Sequence, residues 1–390
     1  MTALPASAKA VRSDPAQPDS DDRFIRYVLE RCSQSNAARA DLRSGLGRPM
    51  AECRRMDPHL AWRLSEGMAD EVRSARYQVA ALIAAQPRRD RRLVQSGSSD
   101  RLPLLNQRPN LGASLAHGVR EGVFKAGSAE AELLWMARQS LDSLRLRLPS
   151  LVMPLLAKDV NIDWAVLLGD LKKWDRASSH AGTEWIRSFH QVQARDADAE
   201  NWPCDRGPEQ FVQRVLDLCN RDKGARADLR RGRGLPVARC LDLHRHLVPL
   251  LPDQQHSDDL RAHYAVAALI ADRPPSARKP AEAGAELDQQ RSDLGVSLAH
   301  AANKKVLSPA SVEQDLHLIA RQSGDAFHTR LPGLATLLLS KGVTIDWAHL
   351  IDDLAWWNRD RDRIATRWLD NYFATLRAHD DRNSMQGDNN

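Results

Sequence analysis

The sequence has no long apolar run and few cysteines, and each shortage argues against a class of protein. Apolar residues make up 42% of the 390 residues, as in a soluble globular protein. No apolar run approaches the roughly 20 residues that cross a bilayer, so no membrane partner is expected. Residues 1–23 are polar and predict a disordered tail, not a signal peptide. A cytoplasmic location follows as an expectation.

Motifs for metals, cofactors and nucleotides are also missing. The five cysteines form no C-x-x-C pair and no cluster with histidine at zinc spacing, which predicts reduced thiols and no metal site. The chain has no GxxxxGK[ST], GxGxxG or GxSxG sequence, so nothing indicates a nucleotide, another cofactor or a hydrolase nucleophile.

Positive charge is unevenly distributed. Residues 24–190 hold 26 Lys and Arg against 18 Asp and Glu, a balance of +8, whereas residues 211–380 hold 24 against 22, a balance of +2. A basic excess favours a polyanionic partner for the first half of the chain.

The two halves are copies of one another. Residues 24–43 and 77–84 return 187 positions later as 211–230 and 264–271. After one loop the offset becomes 183, and 20 of the 37 positions in 138–174 are identical to 321–357. The chain is therefore a tandem duplication. We expect a first domain at 24–190, a flexible acidic linker at 191–210, a second domain at 211–380 and a disordered tail at 381–390.

The periodicity predicts an all-α fold, with two homologous helical bundles in tandem. Apolar residues from Trp164 to Trp174 recur on one helical face, and Trp347 to Trp357 repeat the stripe. Asp163 and Asp346 precede these stripes and are placed to cap the helices. We expect six to eight short helices in each copy, core positions for Trp185 and Trp368 on the same stripes, and a helix over 24–43 that stops at 45–47.

Proline gives one further expectation. Pro149 and Pro332 follow an Arg-Leu pair in each copy and predict that one helix ends there and the next begins.

Basic residues are the candidate nucleic-acid ligands. Arg39 and Arg43 lie four apart on one helical face and recur as Arg226 and Arg230. Their guanidinium groups suit phosphate oxygens, but arginine near a helix end also interacts with free backbone carbonyls, and both interpretations stay open. The other candidates are Arg108, Arg138, Arg145, Arg147, Lys158, Lys172, Lys173, Arg291, Arg321, Arg330 and Lys341. Any one of these could instead form a surface ion pair.

Catalytic residues are not indicated. His117 and His300 lie in an apolar frame that is typical of a structural histidine. Asp163 is explained as a cap and Asp170 as a solvent-side helix residue, so a two-metal nuclease is poorly supported. We expect no enzymatic activity.

Several segments, in order, resemble the CasB family, the small subunit of the type I-E CRISPR Cascade complex. They are Ala-Arg-Ala-Asp-Leu-Arg-Ser-Gly-Leu-Gly-Arg-Pro at 38–49, the Ala-rich segment 77–84, Asn-Leu-Gly-Ala-Ser-Leu-Ala at 110–116 and the segment 160–175. The resemblance covers about 24–190 and again 211–377.

The resemblance implies a non-catalytic, all-helical subunit that lies beside the guide RNA and helps to hold target DNA open. Its implied partners are the backbone and large subunits of Cascade, the crRNA and target DNA, mainly the displaced strand. Two fused copies imply that one chain fills two positions. Asp352, Asp353 and the loss of two lysines suggest that the second copy mainly contacts protein. The alternative is a helical protein–protein adaptor with little nucleic-acid binding.

Overall fold

The computed structural model describes residues 21–64, 67–87, 108–197, 207–252, 255–273 and 292–387. Within these ranges the chain forms α-helices and short 3₁₀ turns and contains no strand. The predicted all-α class is confirmed.

The two copies have the same order of helices. Those of the first copy are α1 (Asp21–Gln34), α2 (Asn36–Arg43), α3 (Asp57–Leu60), α4 (Asp70–Ala85), α5 (Leu111–Arg120), α6 (Ala126–Met136), α7 (Leu141–Ala157) and α8 (Trp164–Ala197). Those of the second are α9 (Pro208–Arg221), α10 (Lys223–Arg231), α11 (His244–Leu247), α12 (Ser257–Ala271), α13 (Leu294–Asn303), α14 (Pro309–Ala320), α15 (Gly324–Ser340) and α16 (Trp347–Gly387).

The tryptophan stripes lie in the core, as predicted. Trp174 has no exposed surface, and its indole N–H donates to the Gln139 carbonyl at 2.8 Å. In the second copy the rings of Trp357 and Trp368 stack with centroids 5.1 Å apart. Burial of such large apolar rings is a main source of stability in each bundle.

Both predicted caps are present. The Asp163 carboxylate accepts from the backbone N–H groups of Ala165 and Val166 at 3.1 and 3.0 Å. The Asp346 carboxylate accepts from the N–H of His349 at 2.9 Å. Each cap satisfies donors that have no partner inside the helix.

The prediction that proline ends a helix is wrong at both positions. Pro149 lies inside α7 and Pro332 inside α15. Proline costs a helix one backbone hydrogen bond, but the leucines on both sides of it are buried on one face: Leu144, Leu148, Leu151 and Leu155. The packing of that face holds the helix together across the proline.

The helix predicted over 24–43 is two helices. Ser35 has an extended backbone and its side chain accepts from the N–H of Ala38, so it starts α2 as a new helix. The stop at 45–47 is correct, since Gly47 has a φ of +72°, which favours glycine.

The last helix of each copy is longer than the sequence indicates. Helix α8 has 34 residues and reaches into the segment predicted as linker, and α16 has 41 residues and reaches into the predicted tail. Helix α16 is kinked at Asp360, whose φ is −137°. Residues 1–20, 198–206 and 388–390 of the predicted tails and linker lie outside the described residues.

The packing divides the chain into two compact units that do not follow the repeat boundary. One consists of 1–125 and 139–181, and the other of 126–138 and 182–390. The second unit therefore contains α6 and the C-terminal part of α8 from the first repeat, together with the whole second repeat.

Four cysteines, Cys32, Cys53, Cys219 and Cys240, are buried free thiols, whereas Cys204 lies outside the described residues. Among the helices that the structure describes, none is both long and apolar enough to cross a membrane.

Candidate nucleic-acid interface

An open depression of about 410 Å³ lies on the surface of the first repeat. Its lining comes from α2 and the residue after it: Asn36, Arg39, Ala40, Arg43 and Ser44. Two arginines four residues apart face one side of a helix, so the sequence spacing places both guanidinium groups on this depression.

Arg39 ties α2 to the C-terminal end of α4. Its Nε donates to the Ala84 carbonyl at 2.9 Å and its Nη2 to the Gln86 carbonyl at 2.5 Å. In the second repeat the Nε of Arg226 donates to the Ala271 carbonyl at 3.1 Å. Both arginines satisfy carbonyls that a helix end leaves without partners, and a role in binding nucleic acid stays a prediction for them.

Arg43 and Arg230 occupy equivalent positions but have different surroundings. Arg43 is exposed. Arg230 forms an ion pair with Asp272 at 2.7 Å, and Arg233 binds the same carboxylate at 2.5 Å. With the offset of 187, Ala85 stands at the position of Asp272. The first repeat thus keeps the arginine and lacks the acid that neutralises it in the second.

Five of the other predicted ligands form ion pairs with carboxylates of the same chain. Arg108 binds Asp163 at 2.5 Å and Asp22 at 2.9 Å, and these carboxylates raise the pKa of its guanidinium. Arg138 pairs with Asp242, Arg145 with Asp142, Lys172 with Asp21 and Arg330 with Asp315. The Arg145 side chain is only 12% exposed, so it is the least accessible of these five.

The remaining predicted ligands are exposed lysines and arginines. Lys173 is on α8, Lys158 follows α7, and Lys341 is the equivalent of Lys158 after α15. Arg147 on α7 and Arg321 after α14 are also exposed. Arg291 lies outside the described residues.

One exposed aromatic group was missed from the sequence. Trp62 is 62% exposed, with the guanidinium of Arg63 4.5 Å from its ring centroid and 4.8 Å from that of Tyr27. The Tyr27 and Trp62 rings meet edge to face at 5.3 Å. Two features of the sequence indicate that Trp62 is not a core residue. It lies off the helical stripes, and Pro249 stands at its position in the second repeat.

Asp353 is not a surface charge. The prediction that it helps the second copy to contact protein is therefore wrong for this residue. It is 3% exposed, its carboxylate binds the Arg367 guanidinium, and it accepts from the Trp368 indole N–H at 2.7 Å. The first repeat has the same acid at the equivalent position, Asp170, but has Glu184 in place of Arg367. The arginine that pairs with Asp353 is therefore not repeated at the equivalent position of the first repeat.

Potential metal ligands do not converge in the part of the chain that the structure describes, where no group of three or more histidines, cysteines and acids could hold an ion.

These features define the class of protein. It is an all-helical tandem repeat whose first copy presents a cationic depression, whereas in the second copy Asp272 neutralises the equivalent arginine. The chain belongs to the family of CRISPR-associated protein Cse2, whose model matches residues 38–190 and again 225–373. The Cse2 family is also called CasB, so this match confirms the resemblance. Because the model matches twice, it also confirms the tandem duplication.

Each individual relative is about as long as one repeat, so its match covers less than half of this chain. The CRISPR-associated protein Cse2 of Thermus thermophilus is 26% identical over 180 residues, which are 45% of this chain and 94% of that protein. A solved chain of a CRISPR RNA-guided surveillance complex is 42% identical, with a TM-score of 0.40, and the match covers 45% of this chain and 96% of that one. A chain of a pre-nicking form of such a complex is 41% identical, also with a TM-score of 0.40 and the same shares.

Proposed function

We propose that this chain is a non-catalytic small subunit of a cytoplasmic CRISPR RNA-guided surveillance complex. In this role it fills two small-subunit positions and stabilises the R-loop through sequence-independent contacts to the displaced DNA strand and the guide backbone. Its partners are the backbone and large subunits, the crRNA and the target DNA. The family match and the surveillance-complex chains at 42% and 41% identity support the assignment to such a complex.

The observation that carries the nucleic-acid contact is the difference between Arg43 and Arg230. Arg43 is exposed on an open depression, whereas Arg230 shares the Asp272 carboxylate with Arg233. A phosphate that approached Arg230 would have to compete with the Asp272 carboxylate, whose side chain is 8% exposed. Arg43 has no carboxylate bound among the described residues. The first repeat is therefore the main strand-binding copy.

Modest attraction is enough for this function. Opening a DNA duplex against a guide RNA is a near-balanced exchange of base pairs. Cations that bind the phosphates of the displaced strand release counterions and shift that balance without reading the sequence. Lys173 and Lys158 are exposed on the same unit and are further candidates for phosphate contacts.

A reciprocal exchange of one acid tests the proposal. Ala85→Asp gives the first repeat the neutralising carboxylate of the second, and Asp272→Ala removes it there. The surveillance complex, assembled without its small subunits, is supplemented with each variant, and permanganate reactivity of the displaced strand reports R-loop opening and protection. Ala85→Asp should lower the stable open fraction, and Asp272→Ala should leave it unchanged or raise it.

Incorporation into the complex is measured in parallel, so that a failure to assemble is separated from a failure to bind DNA. Equal R-loop stability for both variants and the wild-type chain would remove Arg43 from the contact. Failure of the wild-type chain to join the complex would contradict the subunit assignment itself.

The adaptor alternative has one observation in its favour. Arg108, Arg138 and Arg330 are basic in both copies, and each of the three already binds a carboxylate of the same chain. Such residues are less available to nucleic acid. A chain that joins the complex but leaves the displaced strand unchanged would be such an adaptor.

A further inference from the structure

Trp62 is an exposed aromatic residue that the phosphate contacts proposed above leave unused. It lies in the 3₁₀ turn Ala61–Arg63, which follows α3, and it is 62% exposed. Scattered exposed apolar residues are ordinary on a protein surface, so exposure alone indicates no role. Trp62 differs from such residues in the way its neighbours hold the ring.

Two neighbours fix the position of the Trp62 ring. The Tyr27 ring on α1 lies with its centroid 5.3 Å from that of Trp62 and at 87° to it, and the Tyr27 hydroxyl donates to the His59 carbonyl at 2.7 Å. The Arg63 guanidinium lies 4.5 Å from the Trp62 centroid and 4.8 Å from the Tyr27 centroid. We name Tyr27, Trp62 and Arg63 the aromatic corner. Because its ring is held before a ligand arrives, binding costs little conformational freedom.

One face of the Trp62 ring is open. A guanidinium 4.5 Å from the ring centroid lies over a face of the ring. The same guanidinium also lies over Tyr27, and the two rings are close to perpendicular, so Tyr27 cannot lie across the opposite face of Trp62. The exposed fraction of 62% agrees with this geometry. The aromatic corner thus presents a flat ring to the solvent, with a cation behind it.

The charges around the aromatic corner favour a polyanionic ligand. Arg63 is part of the corner, and the charged residues about one helical turn from Tyr27 on α1 are Arg23, Glu30 and Arg31. Three arginines against one glutamate leave the surroundings positive. Proteins stack unpaired bases of a single strand on aromatic rings in such positive surroundings, because each base has a π face and each nucleotide carries a phosphate.

The second repeat has no aromatic corner. At the offset of 187 its three positions hold Arg214, Pro249 and Leu250. The same copy is the one in which Asp272 binds the arginine equivalent to Arg43. Two features suited to a single strand, a ring for bases and a cation for phosphates, therefore occur together in the first repeat and are absent together from the equivalent positions of the second.

The aromatic corner and the cationic depression lie on different sides of α2. Asp41 is two residues from both Arg39 and Arg43, so it is turned about 200° from them around the helix axis. Its carboxylate lies 3.2 Å from Nε2 of His59, the residue whose carbonyl accepts from Tyr27. A helix is about 10–12 Å across with its side chains, so one strand that rounds α2 can contact both features. A substitution in one feature leaves the other in place.

We propose that Trp62 stacks on an unpaired base of the displaced DNA strand, and that Tyr27 and Arg63 hold its ring in position for this contact. The inference rests on the proposed function and adds a contact to a base to the contacts with phosphates. The contact reads no sequence, since every base offers a π face.

The test compares two single strands that carry the same number of phosphates. One is an oligothymidylate, and the other is a strand of equal length built from abasic residues. Fluorescence anisotropy gives the affinity of the full-length chain for each. Trp62→Leu should weaken binding of the oligothymidylate about fivefold or more and should leave binding of the abasic strand unchanged.

Salt dependence separates stacking from charge. A stacked base releases no counterions, so Trp62→Leu should leave the slope of log K against log salt unchanged, whereas Arg43→Ala should reduce that slope. Trp62→Tyr keeps an aromatic ring and should retain most of the affinity for the oligothymidylate. Trp62→Gln replaces Trp62→Leu if thermal unfolding shows that the leucine variant is not folded.

Trp356→Leu is the matched control from the second repeat. Trp356 is also exposed, at 54%, and the Arg359 guanidinium lies 5.2 Å from its ring centroid. Asp352, one turn before it on α16, places a negative charge beside this ring. The substitution should leave both affinities unchanged. A loss equal to that of Trp62→Leu would overturn the assignment of stacking to the aromatic corner.

Three further results would overturn the inference in distinguishable ways. If Trp62→Leu binds both strands as the wild-type chain does while Arg43→Ala weakens both, stacking is refuted and the proposed function stands. If the wild-type chain binds neither strand, the inference fails together with the direct DNA contact of the proposed function. If Trp62→Leu binds both strands normally but joins the surveillance complex less well, the aromatic corner contacts a protein subunit and not a base.

Discussion

Gly295 on α13 lies directly against the backbone of Trp368 on α16. A Cβ atom at position 295 would be 2.0 Å from the Trp368 carbonyl oxygen and 2.8 Å from its carbonyl carbon. Because the obstacle is backbone, a side chain cannot rotate away to make room. The absence of a side chain at this position lets the two helices pack closely and places the Trp368 ring in the core.

Gly295→Ala should therefore destabilise the protein by about 1–3 kcal/mol, the usual cost of overfilling a packed core. Gly333→Ala is the matched control, since it is an exposed position within α15 where a Cβ atom meets nothing within 4 Å. That change should stabilise the protein by about 0.4–1 kcal/mol because alanine has less freedom to lose on folding. Urea unfolding of both variants gives the comparison, and equal effects would refute the close approach.

Arg43→Ala and Arg230→Ala form a second matched pair. Arg43→Ala should lower the affinity for single-stranded DNA and reduce the slope of log K against log salt by about 0.7 for each phosphate that the variant no longer binds. Arg230→Ala should have a smaller effect because Asp272 already binds that arginine. Fluorescence anisotropy at several salt concentrations measures both slopes. Equal reductions would show that the two repeats bind DNA alike.

Asp353→Ala should be destabilising. The change removes the acceptor that the Trp368 indole N–H and the Arg367 guanidinium share. Arg367 keeps Asp293 at 3.4 Å, but the buried indole N–H is left without its acceptor, which costs about 1–3 kcal/mol. Asp362→Ala is the control, since that side chain is 90% exposed in its pair with Arg361 and such pairs contribute about 0–1 kcal/mol. Thermal unfolding distinguishes the two, and a mild effect at Asp353 would contradict its buried placement.

Acid should unfold the protein partly through its buried histidines. Burial lowers the pKa of His244 and of His328 to about 4, from an ordinary 6.5. The unfolded chain therefore binds protons that the folded chain does not, so stability is complete above pH 6.5 and decreases as the pH falls toward 4. Each histidine contributes on the order of 3 kcal/mol to that decrease.

The measurement is the thermal midpoint between neutral and acidic pH. His244→Asn removes one titrating group, so its profile should be flatter than that of the wild-type chain, although its midpoint at neutral pH should be lower because the contact with the Cys240 carbonyl at 3.1 Å is altered. A variant profile parallel to that of the wild-type chain would show that His244 does not titrate in this way.

Local sequence patterns predicted the helices and their cores, because periodicity and capping depend on neighbours in the chain. The stripe from Trp164 to Trp174 and the cap at Asp163 are as expected. The prolines in α7 and α15 were misread because tertiary packing, which no local pattern reports, holds those helices together.

The basic site was only partly predictable for the same reason. Arg39 and Arg43 could be placed on one face of α2 from their spacing. That Arg39 would bind the Ala84 carbonyl, and that Asp272 would neutralise Arg230 but not its counterpart, depends on contacts more than 40 positions apart in the chain. A comparison of the repeats at Ala85 and Asp272 could have indicated it.

The covalent fusion of the repeats also changes what mutation can do to them. In a pair made of two identical chains, one gene encodes both members. An acid gained at the position of Asp272 would then appear in both chains and neutralise the equivalent arginine in each. Here each repeat has its own codons, and Ala85 and Asp272 can be selected separately. The duplication therefore lets the two surfaces change independently, so that one half of the chain can specialise while the other keeps the original chemistry.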